Sequence, residues 1–283
     1  MSRAEVISEL GQNYNGSFDL LIQLTDMAFS AGTDYVKLQT RTPKLCVPQS
    51  EWNKTRNWFD GTPMTYIQYK ERMELGIEQL REFDDYVSNR YGKGRWFTSV
   101  WDIEALNKVN EFELPFIKIP SAMLTNHKLI SESISRKCPL MISTGMSTKD
   151  EIDKAVSLLC ANEKKSVIMH TNSSYPTIDS EINLKRIQTL KDRYHLPYFK
   201  FGFSSHSTSP LPSIFSVFYG AEFIEAHVTL GRHMIGSDHS ASLEKSGLEL
   251  LCREVNRIPV LEGDGVIRLY DGELEPRNRL RPA

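Results

Sequence analysis

Eight short apolar runs, each closed by a polar residue and followed by a stretch with helical periodicity, limit most strongly how this chain can fold. They span residues 5–10, 35–40, 95–100, 115–120, 139–143, 166–170, 198–203 and 222–227. Their length and near-continuous apolarity are those of strands covered on both faces, as in a parallel sheet packed between helices. The intervening stretches carry helix signals. Residues 18–30 stop at Ala31-Gly32, where glycine relieves left-handed strain. Ser147-Thr148-Lys149-Asp150-Glu151 reads as a capped start with acids near the positive end of the dipole. Residues 243–255 form the eighth helical stretch. Eight such units without a break in composition predict an α/β fold of one (β/α)8 TIM barrel spanning 1–283, with 262–283 as an exit tail. An open doubly wound sheet would ordinarily have fewer strands and a glycine-rich phosphate turn. The first turn here, Gly11-Gln12-Asn13-Tyr14-Asn15-Gly16, is not GxGxxG.

One connection is unusual. Residues 41–65 hold prolines and two tryptophans with little periodicity, before helical character resumes over 66–87. A loop this long is usually functional. After the second strand it falls on the C-terminal face of the barrel, where it is expected to act as a lid or to pack as surface decoration.

Composition excludes several classes. The formal charge of −2 is mixed along the chain with no basic block, which argues against nucleic acid as a partner. No apolar run reaches the roughly 18 residues of a membrane span, and the N-terminus has no secretory pattern. Four scattered cysteines (Cys46, Cys138, Cys160, Cys252) without a CxxC pair fit a reducing compartment, so a cytoplasmic enzyme is expected.

Chemistry in a parallel barrel gathers at the C-terminal strand ends, because the βα loops share one mouth. Those ends carry Glu9, Lys37, Gln39, Ser99, Lys118, Ser121, Ser143, Ser173, Tyr175, Ser204, His206, Glu225 and His227. Lys37 and Lys118 lie inside apolar runs. Lysine is almost never fully buried unless paired, so two of them at a barrel mouth imply an anionic ligand. His206 and His227 end the last two strands and are neighbours around the ring. Neutral imidazoles placed so suit a divalent ion such as Mn²⁺ or Zn²⁺, although hydrogen-bonded structural histidines remain open from spacing alone. His170 also ends a strand, without a direct role assigned. His127, His195, His233 and His239 are expected mostly in solvent.

These residues sit in ordered motifs: Ser8-Glu9-Leu10-Gly11-Gln12-Asn13-Tyr14-Asn15-Gly16, Val36-Lys37-Leu38-Gln39, Phe116-Ile117-Lys118-Ile119-Pro120-Ser121, Ile142-Ser143-Thr144-Gly145-Met146, Tyr175-Pro176-Thr177, Gly202-Phe203-Ser204-Ser205-His206, Glu225-Ala226-His227 and Gly236-Ser237-Asp238-His239. In this order they resemble the sialic acid synthase family, which includes N-acetylneuraminate, legionaminate and pseudaminate synthases. The resemblance runs from Glu5 to about Leu251. It implies a transferase that condenses phosphoenolpyruvate with an N-acylated aminosugar aldehyde to a 3-deoxy-2-keto acid sugar, releasing phosphate. By the same resemblance His206 and His227 hold the metal, Mn²⁺ before Mg²⁺, Co²⁺ or Zn²⁺. Lys37, Lys118, Ser121, Ser143, Ser173 and Ser204 hold phosphoenolpyruvate. Glu9, Gln39, Tyr175 and Asp238 face the sugar, Glu225 supports the metal region, and a homodimer is possible.

The sequence departs from the family pattern in places. Met123 stands where members commonly have a glutamate that manages protons. Ser205 precedes His206 where Asp or Gly is usual, and Asn13-Tyr14 replaces Asn-His. The family's small antifreeze-like domain is expected to be absent, and this together with Met123 predicts a non-standard acceptor. Two other readings stay open: a class II aldolase or sugar isomerase on the same barrel, and a degenerate, non-catalytic sugar-binding homologue.

Overall fold

The computed structural model describes residues 3–281. Among them, the eight apolar runs become eight parallel strands: β1 Glu5–Glu9, β2 Tyr35–Thr40, β3 Trp96–Val100, β4 Ile117–Ile119, β5 Leu140–Ser143, β6 Ser166–Thr171, β7 Phe199–Ser205 and β8 Phe223–His227. Each pairs with the next, and β8 pairs with β1 to close the ring. The run at 115–120 shrinks to three residues because Pro115 and Pro120 cannot donate to a ladder. β6 and β7 run beyond their apolar segments, taking in Thr171, Ser204 and Ser205.

Period-2 alternation decides what fills the ring. Phe116 and Phe223 touch edge-to-face with ring centroids 5.5 Å apart, although β4 and β8 are on opposite sides of the barrel. Phe97 and Tyr35 extend this contact, at 5.5 Å from Phe116 to Phe97 and 6.1 Å from Phe97 to Tyr35. Aromatic rings therefore plug the N-terminal end. Two residues further along the same strands, the inward positions are Lys37, Ser99, Lys118 and Glu225. The interior changes from apolar to ionic within one layer of side chains.

Local signals hold for most helices. Ser17 caps Phe18–Ser30, and Thr148 with Glu151 forms a capping box at the start of Lys149–Ala161. The last barrel helix is longer than expected, Lys245–Glu262, and passes through Pro259. The helix expected over 66–87 is instead two, Tyr66–Met73 and Ile77–Tyr91. Glu74 leaves helical geometry between them (φ −85°, ψ 137°), and its carboxylate accepts from the backbone and Nε of Arg41 at 3.0 and 2.7 Å. A tertiary ion pair breaks the periodic stretch.

Residues 41–65 are built rather than loose at their base. Asp102 accepts from Thr42 N, Thr42 Oγ1 and Cys46 Sγ at 2.7, 2.9 and 3.1 Å. Beyond this base, Thr55–Asn57 and Pro63–Thr65 form a small outward hairpin. The segment after Glu262 is exposed, with a short helix at Leu274–Leu280. No helix among the described residues is long and apolar enough to cross a membrane.

Candidate active site

At the C-terminal end of the barrel, register sets the neighbours. Glu9 is paired with His227 on one side and Lys37 on the other. Ser204 lies opposite Glu225, and Ser99 opposite Lys118. The strand ends surround a cavity of ≈ 180 Å³. Glu9, Lys37, Gln39, Lys118, Ser121, Ser143, Ser173, Tyr175, Ser204, His206, Glu225 and His227 all line it. Asp238 stands outside the lining, its Oδ2 3.8 Å from His227 Nδ1.

The two lysines are not free cations awaiting an anion, which amends the expectation from their apolar setting. Lys37 Nζ is 2.7 Å from Glu9 Oε2 and 3.8 Å from Glu225 Oε1. Lys118 Nζ reaches across the ring to Glu225 Oε1 at 2.6 Å. Ser204 donates to the same oxygen at 3.2 Å, and Gln39 donates to Glu9 Oε1 at 2.7 Å. Burial alone would push the Glu225 carboxyl up, but Lys118 and then Lys37 outweigh it and hold it well below the usual range. Two cations and two carboxylates thus balance in a buried layer. Each ammonium keeps donors to spare, and among the described residues Ser143 Oγ has no hydrogen-bond partner.

A hydroxyl cradle adjoins this layer. A Cβ on Gly145 would collide with Ser173 Oγ, lie 2.8 Å from Ser121 Oγ and 2.7 Å from Thr171 Cγ2. Only glycine lets strands β5 and β6 and the β4 loop converge so closely. Next to it, Met146 adopts a left-handed φ of 56°, a conformation that concentrates at functional sites.

The histidines are set differently from one another. His206 Nδ1 sits 2.5 Å from the Asn172 carbonyl, which fixes the proton there and leaves Nε2 with its lone pair. Burial, and then His227 beside it, push His206 down to about 3, so it is neutral at ordinary pH. Tyr175 stacks on it at 3.9 Å, and the His206 and His227 ring centroids are 5.3 Å apart. His227 Nδ1 is buried and has no hydrogen-bond partner among the described residues. Gly11, at φ 53°, makes room for that ring: a Cβ there would lie 3.3 Å from Nδ1.

Other expectations meet different outcomes. Met123 packs against the core and does not line the cavity, whereas Ala122 does. His170 is structural, buried with Nε2 2.7 Å from the Ile182 carbonyl. His239, expected in solvent, is buried: Nδ1 bonds Thr229 Oγ1 at 2.7 Å and Nε2 approaches Asn15 Oδ1 at 3.2 Å. Trp101 lines the mouth and was not singled out from sequence. Its place just past β3 was the available signal. A larger hollow of ≈ 770 Å³ lies at the opposite end, beside Pro115 and Pro139. Its Glu111 and Arg136 are already engaged by Arg81 and by Asn107 and Asn110.

Comparison with known proteins agrees with this architecture. The NeuB family profile matches residues 24–267. The chain is 30% identical to the N,N'-diacetyllegionaminic acid synthase of Campylobacter jejuni, covering 99% of this chain and 84% of that one. It is 29% identical to the Legionella pneumophila enzyme of the same name, over 98% of this chain and 78% of the relative. Among solved structures, an N-acetylneuraminic acid synthetase from Leptospira borgpetersenii, in complex with citrate, superposes with a TM-score of 0.83 at 26% identity, covering 100% and 94% of the two chains. A closed barrel with this ordered mouth, matched over nearly its whole length, places the chain in the NeuB family as a (β/α)8 enzyme of the sialic acid synthase type.

Proposed function

We propose that the chain condenses phosphoenolpyruvate with an N-acylated aminosugar aldehyde, forming a 3-deoxy-2-keto acid sugar and inorganic phosphate. The observation that carries this is the juxtaposition of the Lys37–Lys118 layer with the hydroxyl cradle around Gly145, beside two neutral imidazoles. An anion with a phosphate and a carboxylate needs donors at two places, and the mouth offers both.

Ser121, Ser143, Ser173 and Ser204 supply hydroxyl donors, and Lys37 and Lys118 supply ammonium hydrogens toward phosphoenolpyruvate. Its C3 attacks the aldehyde carbon, water adds at C2, and the C2–O bond to phosphate breaks as the ketone forms. Glu9, its carboxylate oriented by Gln39 and Lys37, takes the proton of the water. Glu225 keeps Lys118 in place. Tyr175, flat on His206, and Asp238, beside His227, face the sugar.

His206 and His227 fit a divalent ion. His206 presents an unprotonated Nε2, and the orphaned His227 Nδ1 leaves that ring's tautomer free to adjust. Their ring centroids, 5.3 Å apart, are near enough for both to hold one ion. No group of three or more His, Cys, Asp or Glu that could hold a metal occurs among the described residues, so these two imidazoles are the side chains that would hold it. Such an ion, Mn²⁺ in our reading, supplies Lewis-acid polarisation of the aldehyde oxygen.

The test is phosphate release from phosphoenolpyruvate with a panel of aldoses, with and without EDTA and added Mn²⁺. Release that requires both an aldose and the ion supports the assignment. Turnover of a ketose without phosphoenolpyruvate identifies an aldolase or isomerase instead. Binding without turnover on every aldose identifies a sugar-binding homologue.

A further inference from the structure

The loop after β8, residues 228–243, and the turn after β1, residues 11–16, interlock across the seam where the barrel closes. Asn13 Nδ2 donates to the Val228 carbonyl and to Ser242 Oγ, both at 2.8 Å. Ser242 Oγ passes its own hydrogen to the Asp238 carbonyl at 2.7 Å. Asn15 Nδ2 donates to the Ile235 carbonyl at 3.1 Å.

His239 is buried in the middle of this seam, and its two ring nitrogens have different partners. Asn15 turns its Nδ2 to Ile235, so its Oδ1, 3.2 Å from His239 Nε2, can only accept. Nε2 therefore carries the proton, and Nδ1 accepts from the Thr229 hydroxyl at 2.7 Å. A neutral ring in that tautomer leaves neither nitrogen unpaired. A Cβ on Gly236 would lie 2.5 Å from His239 Cδ2, so the loop closes over the ring only with glycine there.

The residue held in place by this clasp is Asp238. Its Oδ1 accepts from Ser237 Oγ at 2.6 Å, and its Oδ2 stands 3.8 Å from His227 Nδ1. That separation is too long for a hydrogen bond, and Nδ1 has no other partner among the described residues to set the tautomer. Charge sets it instead. A carboxylate beside Nδ1 favours the proton on that nitrogen and leaves Nε2 with its lone pair.

We propose that His239 is a positioning residue for His227. By clasping the β8 loop to the β1 turn it holds Asp238 against Nδ1, and Asp238 keeps the proton there, so that Nε2 is unprotonated as it is in His206. The inference rests on the reading of His206 and His227 as the pair that would hold the ion, because a ligating imidazole needs its outer nitrogen engaged.

The experiment records long-range ¹H–¹⁵N spectra of the metal-free full chain, with His227→Asn to assign the ring, and then follows Mn²⁺ titration by electron paramagnetic resonance. In wild type His227 should be protonated at Nδ1 over Nε2 by roughly tenfold or more. Asp238→Ala and His239→Gln should each lose that preference and weaken Mn²⁺ binding by roughly ten- to hundredfold. If His239 acts through Asp238, the double variant binds no more weakly than Asp238→Ala alone. The urea midpoint reports folding, and Thr229→Val, which removes the hydroxyl and keeps the ring, replaces His239→Gln should the latter misfold. A wild-type His227 protonated at Nε2 overturns the proposal. So does a His239→Gln variant with unchanged tautomer and affinity, or a double variant in which the two losses add. Protonation at Nδ1 without Mn²⁺ binding would remove the metal from the proposed function and leave the positioning role standing. Phosphate release from phosphoenolpyruvate by a wild type protonated at Nε2 would do the reverse.

Discussion

Removing the Glu225 charge should expose how the buried layer is balanced. Glu225 Oε1 accepts from Lys118 and Ser204 and lies 3.8 Å from Lys37. Glu225→Gln keeps the shape and an acceptor, yet leaves two buried ammonium groups facing Glu9 alone. Breaking a buried pair from one side costs about 3–5 kcal/mol. A ceiling exists, since Lys118 can give up its proton. From the ordinary lysine value of 10.5, neutralisation costs about 4.8 kcal/mol at pH 7 and about 2.0 kcal/mol at pH 9, at 1.36 kcal/mol per unit. Lys118 is the one to yield: burial lowers it and Lys37 repels it, whereas for Lys37 burial is outweighed by Glu225 and Glu9.

Glu225→Gln should therefore lose about 3–5 kcal/mol at pH 7 but no more than about 2 kcal/mol at pH 9. Adding Lys118→Met removes the stranded cation and should recover much of that loss. Urea unfolding followed by circular dichroism at both pH values measures all three variants. A loss below about 1 kcal/mol at pH 7, or a double variant no more stable than Glu225→Gln, would refute the reasoning.

Other consequences are simpler to state. His206→Ala and His227→Ala should each lower Mn²⁺-dependent phosphate release by roughly 100-fold or more while keeping the urea midpoint near wild type; retained activity would remove these residues from the metal site. Gly145→Ala drives a methyl into Ser173 and Ser121 and should raise KM for phosphoenolpyruvate by roughly tenfold or more, about the worth of one charge-assisted contact; an unchanged KM would place the phosphate elsewhere. His170 is held down to about 4 by burial. It is neutral when folded and takes a proton when unfolded, so stability should fall as pH drops from 6.5 through 4, by at most about 3.4 kcal/mol. His170→Gln should flatten that part of the stability profile, and an unaltered profile would count against the burial argument.

Much of the site was legible before the fold was known, because a barrel built on period-2 strands sends every candidate at a strand end toward one mouth. Thirteen of the fourteen side chains put forward from sequence line that mouth, Asp238 being the exception. What sequence could not give was partnership. Lys37 and Lys118 pointed to an external anion, whereas Glu9 and Glu225 already hold them, and Lys118 and Glu225 are 107 residues apart. His239 looked like a loop histidine in solvent until Thr229 and Asn15 enclosed it. Met123 aligned with a proton-handling position, but the turn after β4 aims it at the core.

The sequence by itself determined the eight strands, their order, the capped helices and the level at which functional groups stand. Each of these follows from local periodicity, proline and glycine placement, and the burial demanded of a parallel sheet. Only the tertiary structure decided which charges cancel. Closing the ring set β4 against β8 and broke the second helix at Glu74 to anchor Arg41. Charge balance is a property of distances between segments far apart in the chain, and folding alone sets those distances.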